Sequence, residues 1–202
     1  MDKSADTRFD ILDPIAERWS PRAFTDQPVE PEKLGRLFEA ARWSASSYNE
    51  QPWRFIVTTR DDPDAHARAV DCLVEKNAAW AQHAPVLFFT VAARKFSRNG
   101  KPNRVAEHDV GLAMGNLSIQ ATAEGLVVHQ MAGIEIPKVR VAFNIPDGFD
   151  PVAACAVGYQ GEPEDLPEEW MREAEGEKRS RKPLSEIVFG ADWETPFTPI
   201  QS

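Results

Sequence analysis

The chain has 202 residues, of which 42% are apolar and 27% charged, and its formal net charge is -9. These values are ordinary for a globular domain, and the acidic balance argues against a nucleic-acid-binding or anionic-lipid-binding surface. No apolar run is long enough to span a membrane and no signal peptide is visible, so we expect a cytoplasmic protein. The two cysteines, Cys72 and Cys155, lie in apolar stretches, which favours a buried reduced pair and leaves a single disulfide as the alternative.

The first half of the chain alternates between predicted helices and strands. Apolar periodicity predicts helices over residues 9–18, 31–43 and 63–82, and a strand over 54–59. Pro31 suits the first turn of its helix. Residues 85–92 form a nearly continuous apolar run, which predicts a central strand of the sheet.

The second half begins with the longest predicted helix, over residues 103–124. One of its faces consists mostly of small residues, which predicts the close approach of another element; it is formed by Leu112, Gly115, Asn116, Ile119 and Ala123. Gly125 ends this helix, and strands are predicted over 126–131 and 152–157.

The last part of the chain is predicted to lie on the surface. Residues 162–177 are dense in glutamate and predict a surface helix or excursion, anchored by Trp170 and Met171. An irregular tail is predicted over 190–202. With no repeats and no clear linker, residues 1–202 are expected to form a single α/β or α+β domain with one sheet.

Short basic segments stand near both ends of this acidic chain, Arg18-Trp19-Ser20-Pro21-Arg22 and Arg179-Ser180-Arg181. In an extended segment alternate side chains point the same way, so Arg18, Ser20 and Arg22 could face one ligand. The planar guanidinium fork suits phosphate. Taken alone, the first segment is better explained as a solvated turn after a helix, and the second as a surface charge run. If folding brings the two ends together, they form an anion site.

Two other segments could line a ligand site. Ser46-Ser47-Tyr48-Asn49 leads into Gln51-Pro52-Trp53, where small hydroxylated residues would admit a flat ligand, although a capped turn explains them too. Gln130-Met131-Ala132-Gly133 follows a predicted strand, and its glycine would let backbone N–H groups face a ligand. Neither a dinucleotide-binding GxGxxG nor a P-loop occurs, and the four histidines lack metal-ligand spacing. We therefore predict no metal site.

Taken together and in this order, these segments resemble the nitroreductase family of FMN-dependent oxidoreductases. The most specific match is the segment 46–55, followed by Arg18-x-Ser20-x-Arg22-x-Phe24 and by Arg179-x-Arg181-x-Pro183. The resemblance implies a nitroreductase-like α+β fold, with a central, mostly antiparallel sheet flanked by helices. It also implies an intertwined homodimer with one FMN at each subunit interface.

The resemblance further implies a role for each matching residue. Arg18, Ser20, Arg179 and Arg181 would hold the FMN phosphate together with the backbone of Trp19, and Arg22 would lie near the flavin N1. The partner subunit would supply Ser46, Ser47, Tyr48 and Asn49. Asn77 would bond the pyrimidine edge, and Ala132 and Gly133 would present backbone N–H groups to the N5 and O4 region. Gln130 and Met131 would also belong to the cofactor site.

Two positions depart from the pattern of some family members. Trp80 stands where these members carry a second basic residue, which leaves Arg22 as the main charge beside N1. Ala132 stands where some carry an acidic residue, so the placement of nicotinamide and substrate does not carry over.

The chemistry implied by the resemblance needs neither a metal nor a protein nucleophile. Hydride would pass from NADH or NADPH to the flavin N5 and then, in a ping-pong cycle, to a nitroaromatic, a quinone or a similar flat acceptor. Arg22 would act as an electrostatic tuner, because a fixed cation stabilises reduced flavin. One alternative keeps the fold and FMN but performs reductive dehalogenation, flavin cleavage or activated C=C reduction, with 162–177 as a lid. Another is a non-catalytic flavin-binding protein.

Overall fold

The fold is built on one four-stranded sheet, described for residues 3–200 in a computed structural model. The strands are β1 (Trp53–Thr59), β2 (Val86–Ala93), β3 (Val127–Met131) and β4 (Phe149–Gly158). Their order is β1-β2-β4-β3, and every neighbouring pair is antiparallel. This arrangement confirms the predicted α+β class.

Strand β2 is central, as its apolar run predicted, and seven of its eight residues are buried. Successive side chains of a strand point to opposite faces of the sheet. Accordingly, Val86 and Phe88 join the core on one face, whereas Leu87 and Phe89 join the core on the other. The sheet is therefore covered on both sides.

Helices form the two covering layers. One core includes residues of α2 and α5, and the other includes residues of α3, α4, α6 and α7. None of the helices within residues 3–200 is long and apolar enough to cross a membrane. Their bounds are α1 (Asp13–Glu17), α2 (Pro31–Arg42), α3 (Pro63–Asp71), α4 (Glu75–Ala81), α5 (Ala106–Ala123), α6 (Ile136–Ala142) and α7 (Glu169–Gly176).

Helix α5 buries the face opposite to its small-residue face. Its core-facing residues include Val110, Met114 and Leu117, whereas Leu112 is 42% exposed. A Cβ built at Gly115 would meet no atom within 4 Å. The small-residue face is thus exposed at Leu112 and Gly115, whereas its Asn116 donates a 2.8 Å hydrogen bond to Ser44 Oγ.

Two helix predictions were wrong in extent. The helix predicted over 63–82 is broken into α3 and α4, because Leu73 forms a β-bridge with Ile134 and Cys72 O accepts a 2.8 Å hydrogen bond from the Glu135 N–H. The helix predicted over 9–18 covers only α1. Helix α6, which begins beside Pro137, was not predicted.

The glutamate-rich segment is docked by its last helix, α7. Met171 is fully buried, as predicted for an anchor, but the other predicted anchor, Trp170, is 39% exposed. Beyond it, residues 190–199 are exposed and mostly irregular, as predicted, and Phe189 forms a β-bridge with Pro196. The last two residues of that predicted tail, 201 and 202, lie outside the described residues.

Candidate cofactor site

The two ends of the chain meet at one cavity. Arg18, Arg179 and Arg181 all line this cavity, whose volume is about 910 Å³. Arg179 Nη1 donates a 2.8 Å hydrogen bond to the carbonyl of Ala16 and another to that of Lys3. Lys3 Nζ in turn donates to Glu177 O at 2.5 Å. The distant basic segments are thus tied together, as the sequence suggested they could be.

The three arginines form a cluster of like charges. Within residues 3–200, no carboxylate lies within ion-pair distance of Arg18, Arg179 or Arg181, although Asp6 of the same cavity pairs with Lys178. Burial lowers the pKa of Arg18, and the positive charges of Arg179 and Arg181 lower it further. A bound dianion would relieve this repulsion, so the cluster suits a phosphate.

Arg22 differs from this cluster in two ways, because it does not line the cavity and it has a carboxylate partner. Arg18 Nη1 lies 3.4 Å from Ser20 Oγ. The Arg22 guanidinium instead pairs with Glu175, with 3.3 Å between Nη1 and Oε1. The side chain of Trp19 donates from Nε1 to Gln160. Arg18, at one end of this segment, therefore faces other positive charges, whereas Arg22, at the other end, is neutralised by a carboxylate.

His129 fixes the segment against the sheet. Its Nδ1–H donates to the carbonyl of Pro21 at 2.9 Å, and its ring lies 4.5 Å from that of Trp80. Burial lowers the pKa of His129 to about 4, and the charge of Arg22 contributes. The spacing of the histidines in the sequence could not reveal that His129 holds this segment, because its partner is a backbone carbonyl.

Asn77 and Gly133 are brought together at the end of β3. Asn77 Nδ2 donates to Gly133 O at 3.1 Å, and the Val74 N–H donates to the same carbonyl at 3.2 Å. A Cβ at position 133 would lie 2.6 Å from Asn77 Nδ2, so only glycine fits without a shift. Gln130 and Ala132 are exposed, whereas the Met131 side chain is in the core and leaves only its backbone for a ligand.

The segment 46–49 lies at the opposite edge of the sheet. It precedes β1, and the Ser47 N–H donates to Asp109 Oδ2 at 3.0 Å. Tyr48 and Asn49 both have left-handed backbones, and the Tyr48 side chain is 73% exposed. Edge strands β1 and β3 are three strand spacings apart, or roughly 14 Å. The single chain thus does not bring this segment to the end of β3.

A family profile and a solved structure both match this chain. The sequence profile described as the nitroreductase family matches residues 15–159. This chain belongs to the nitroreductase family. A solved oxidoreductase containing FMN superposes with a TM-score of 0.87 at 32% identity, over 94% of this chain and 96% of that one.

Relatives by sequence include two bacterial proteins. An uncharacterised 15.4 kDa protein of Mycolicibacterium smegmatis is 30% identical over 150 residues, which are 71% of this chain and 99% of the relative. A putative NADH dehydrogenase/NAD(P)H nitroreductase of Streptomyces coelicolor is 25% identical over 186 residues, covering 80% and 91% of the two chains. The nitroreductase-like fold predicted from the motifs is confirmed.

Sequence reasoning missed one charged residue that the fold places beside a candidate site residue. Glu175 is 1% exposed and contacts Arg22. It lies in the glutamate-rich segment 162–177, for which the sequence predicted a surface position. The spacing of four residues between Glu175 and the anchor Met171 places both on one face of α7 and was the available signal.

Proposed function

We propose that this protein is an FMN-dependent oxidoreductase that carries hydride from NADH or NADPH to a flat electrophilic acceptor, such as a nitroaromatic or a quinone. The observation that carries the proposal is the convergence of Arg18, Arg179 and Arg181 without a carboxylate partner among the described residues. The names of the relatives, an oxidoreductase containing FMN and a putative NAD(P)H nitroreductase, support it. The two buried free cysteines are compatible with the reducing cytoplasm, where we place the protein.

The residues fit the chemical parts of FMN. Three guanidinium groups and the Ser20 hydroxyl would hold the phosphate, with Arg18 the most desolvated of the three. Bound FMN would supply the redox chemistry, accepting hydride from the nicotinamide and donating it to the acceptor.

Other residues would orient the ring system and adjust its charge. Arg22 would place a positive charge beside N1, which favours the reduced state. The Asn77 amide holds the carbonyl of Gly133, so the turn that follows β3 is fixed before any ligand arrives. The backbone of this turn, exposed at Ala132 and half-buried at Gly133, would donate N–H groups to the N5 region.

A second copy of the chain would complete this site. The small face of α5 is exposed at Leu112 and open at Gly115, so another helix could approach it closely. The segment 46–49 would then reach the cofactor of the partner subunit, because its own sheet separates it from β3. We therefore propose a homodimer with the cofactor at the subunit interface.

The dimer is tested by Leu112→Glu, which puts a charge on the small face. We expect a shift from dimer to monomer in analytical ultracentrifugation, together with loss of bound FMN. The matched control is Val141→Glu, because Val141 is 79% exposed on α6, away from that face. A parent protein that is already monomeric and retains FMN would contradict the proposal.

The activity is tested by double-mixing stopped flow under anaerobic conditions. Mixing with NADH or NADPH should bleach the flavin absorbance, and a quinone or nitroaromatic added afterwards should restore it. Bleaching before the acceptor is present is the expected signature of a ping-pong cycle. A yellow protein that neither nicotinamide bleaches would instead indicate a non-catalytic flavin-binding protein.

A further inference from the structure

Glu175 is a buried carboxylate whose hydrogen bonds are made to Arg22. Its side chain is 1% exposed, and Oε1 accepts from the Arg22 backbone N–H at 3.0 Å and from Nη1 at 3.3 Å. A buried charge is costly unless it is paired, so Glu175 depends on Arg22 to remain ionised inside the protein.

Helix α7 holds the Arg22 guanidinium from two sides. Glu175 accepts its hydrogen bond, and the Trp170 ring centroid lies 5.6 Å from Cζ in a cation–π arrangement. Met171, between them in sequence, is fully buried and anchors the helix to the core. The position of the Arg22 guanidinium is therefore fixed by its contacts with α7.

We propose that Glu175 is a positioning residue that aims Arg22 at the cofactor and partly offsets its charge, so that it sets the flavin midpoint potential. This inference rests on the proposed function. A carboxylate paired with the guanidinium reduces the positive potential that the guanidinium projects, and reduced flavin is then stabilised less than by an unpaired arginine.

Glu175 is assigned to positioning and not to catalysis. Within the described part of the chain, Glu175 accepts hydrogen bonds from Arg22 alone, and its side chain is almost completely excluded from the surface. A substrate would therefore meet Arg22 or Trp170 before it could reach this carboxylate.

Glu175→Gln separates charge from geometry, because the amide oxygen can still accept both hydrogen bonds. We expect the midpoint potential of bound FMN to rise by about 30 mV or more, which corresponds to a tenfold change in the equilibrium constant of a two-electron couple. Glu173→Gln is the control, since Glu173 is exposed on the same helix and loses the same charge. A potential equal to that of the control, or below it, would overturn the inference.

A second comparison decides the matter if Glu175→Gln does not fold. Arg22→Ala leaves the carboxylate buried and unpaired, so the double variant Arg22→Ala, Glu175→Gln should be more stable than Arg22→Ala in urea unfolding of the apoprotein. Its flavin potential should also be the higher of the two. Equal stability or equal potential would contradict the inference. Failure of the proposed function looks different, because the parent protein itself would then bind no FMN.

Discussion

Arg181→Ala should weaken FMN binding without unfolding the protein. Arg181 is exposed, and its hydrogen bond goes to the carbonyl of its neighbour Ser180, so its removal breaks no link between segments. A charge-assisted hydrogen bond contributes about 1.5–3 kcal/mol. The dissociation constant of FMN should therefore rise roughly 10- to 150-fold.

Riboflavin provides the matched ligand for this test because it lacks the phosphate. Titration of the apoprotein, followed by flavin fluorescence, should show a loss of affinity for FMN and an unchanged affinity for riboflavin. The stability of the apoprotein should hold or increase slightly, since the charge of Arg181 lowers the pKa of Arg18. Lys95→Ala removes an exposed charge elsewhere and should change neither affinity. Equal losses for both flavins would refute the assignment of this cluster to the phosphate.

Three further predictions follow from the contacts around the site. Arg22→Ala should lower the flavin midpoint potential and slow reduction more than it weakens FMN binding; equal reduction rates in stopped flow would count against this role. Gly133→Ala should reduce stability in urea unfolding by about 1–3 kcal/mol, because its Cβ would lie 2.6 Å from Asn77 Nδ2, whereas Gly35→Ala in α2 meets no atom and should be neutral or stabilising. Burial lowers the pKa of His129 to about 4 in the folded protein, so the unfolded chain binds the extra proton below about pH 6.5. Stability should therefore fall by up to about 2 kcal/mol between pH 6.5 and pH 5, and His129→Gln should flatten this dependence; parallel pH curves would exclude the histidine as its source.

Local sequence pattern predicted the sheet well because the strands carry strong signals. The run 85–92 indicated a central strand, and β2 is central with β1 and β4 on its two sides. The break between α3 and α4 could not be predicted in the same way. It depends on the bridge between Leu73 and Ile134, which joins residues distant in sequence.

Helix α5 illustrates a different limit. Apolar residues occur on both of its sides, Val110 and Leu117 on one and Leu112 on the other. The sequence therefore predicts a helix here but does not tell which face enters the core. The small face was noticed in the sequence, but the fold leaves its Leu112 exposed. In the proposed homodimer, the partner subunit would cover this face.

The candidate site was predictable where residue types are unusual for their surroundings. Arginines at both ends of an acidic chain stood out, and Arg18, Arg179 and Arg181 do line one cavity. Glu175 did not stand out because it is one glutamate among many. Its importance comes from burial against Arg22, which only the three-dimensional arrangement reveals.

The central claim is that the two ends of the chain hold the phosphate of a redox-active FMN. It is tested most directly by the absorbance spectrum of the purified protein reconstituted with FMN, recorded anaerobically before and after addition of NADPH or NADH. We predict one tightly bound FMN per chain, bleached by at least one of the two nicotinamides. A folded protein that remains colourless after incubation with FMN and gel filtration would contradict the claim.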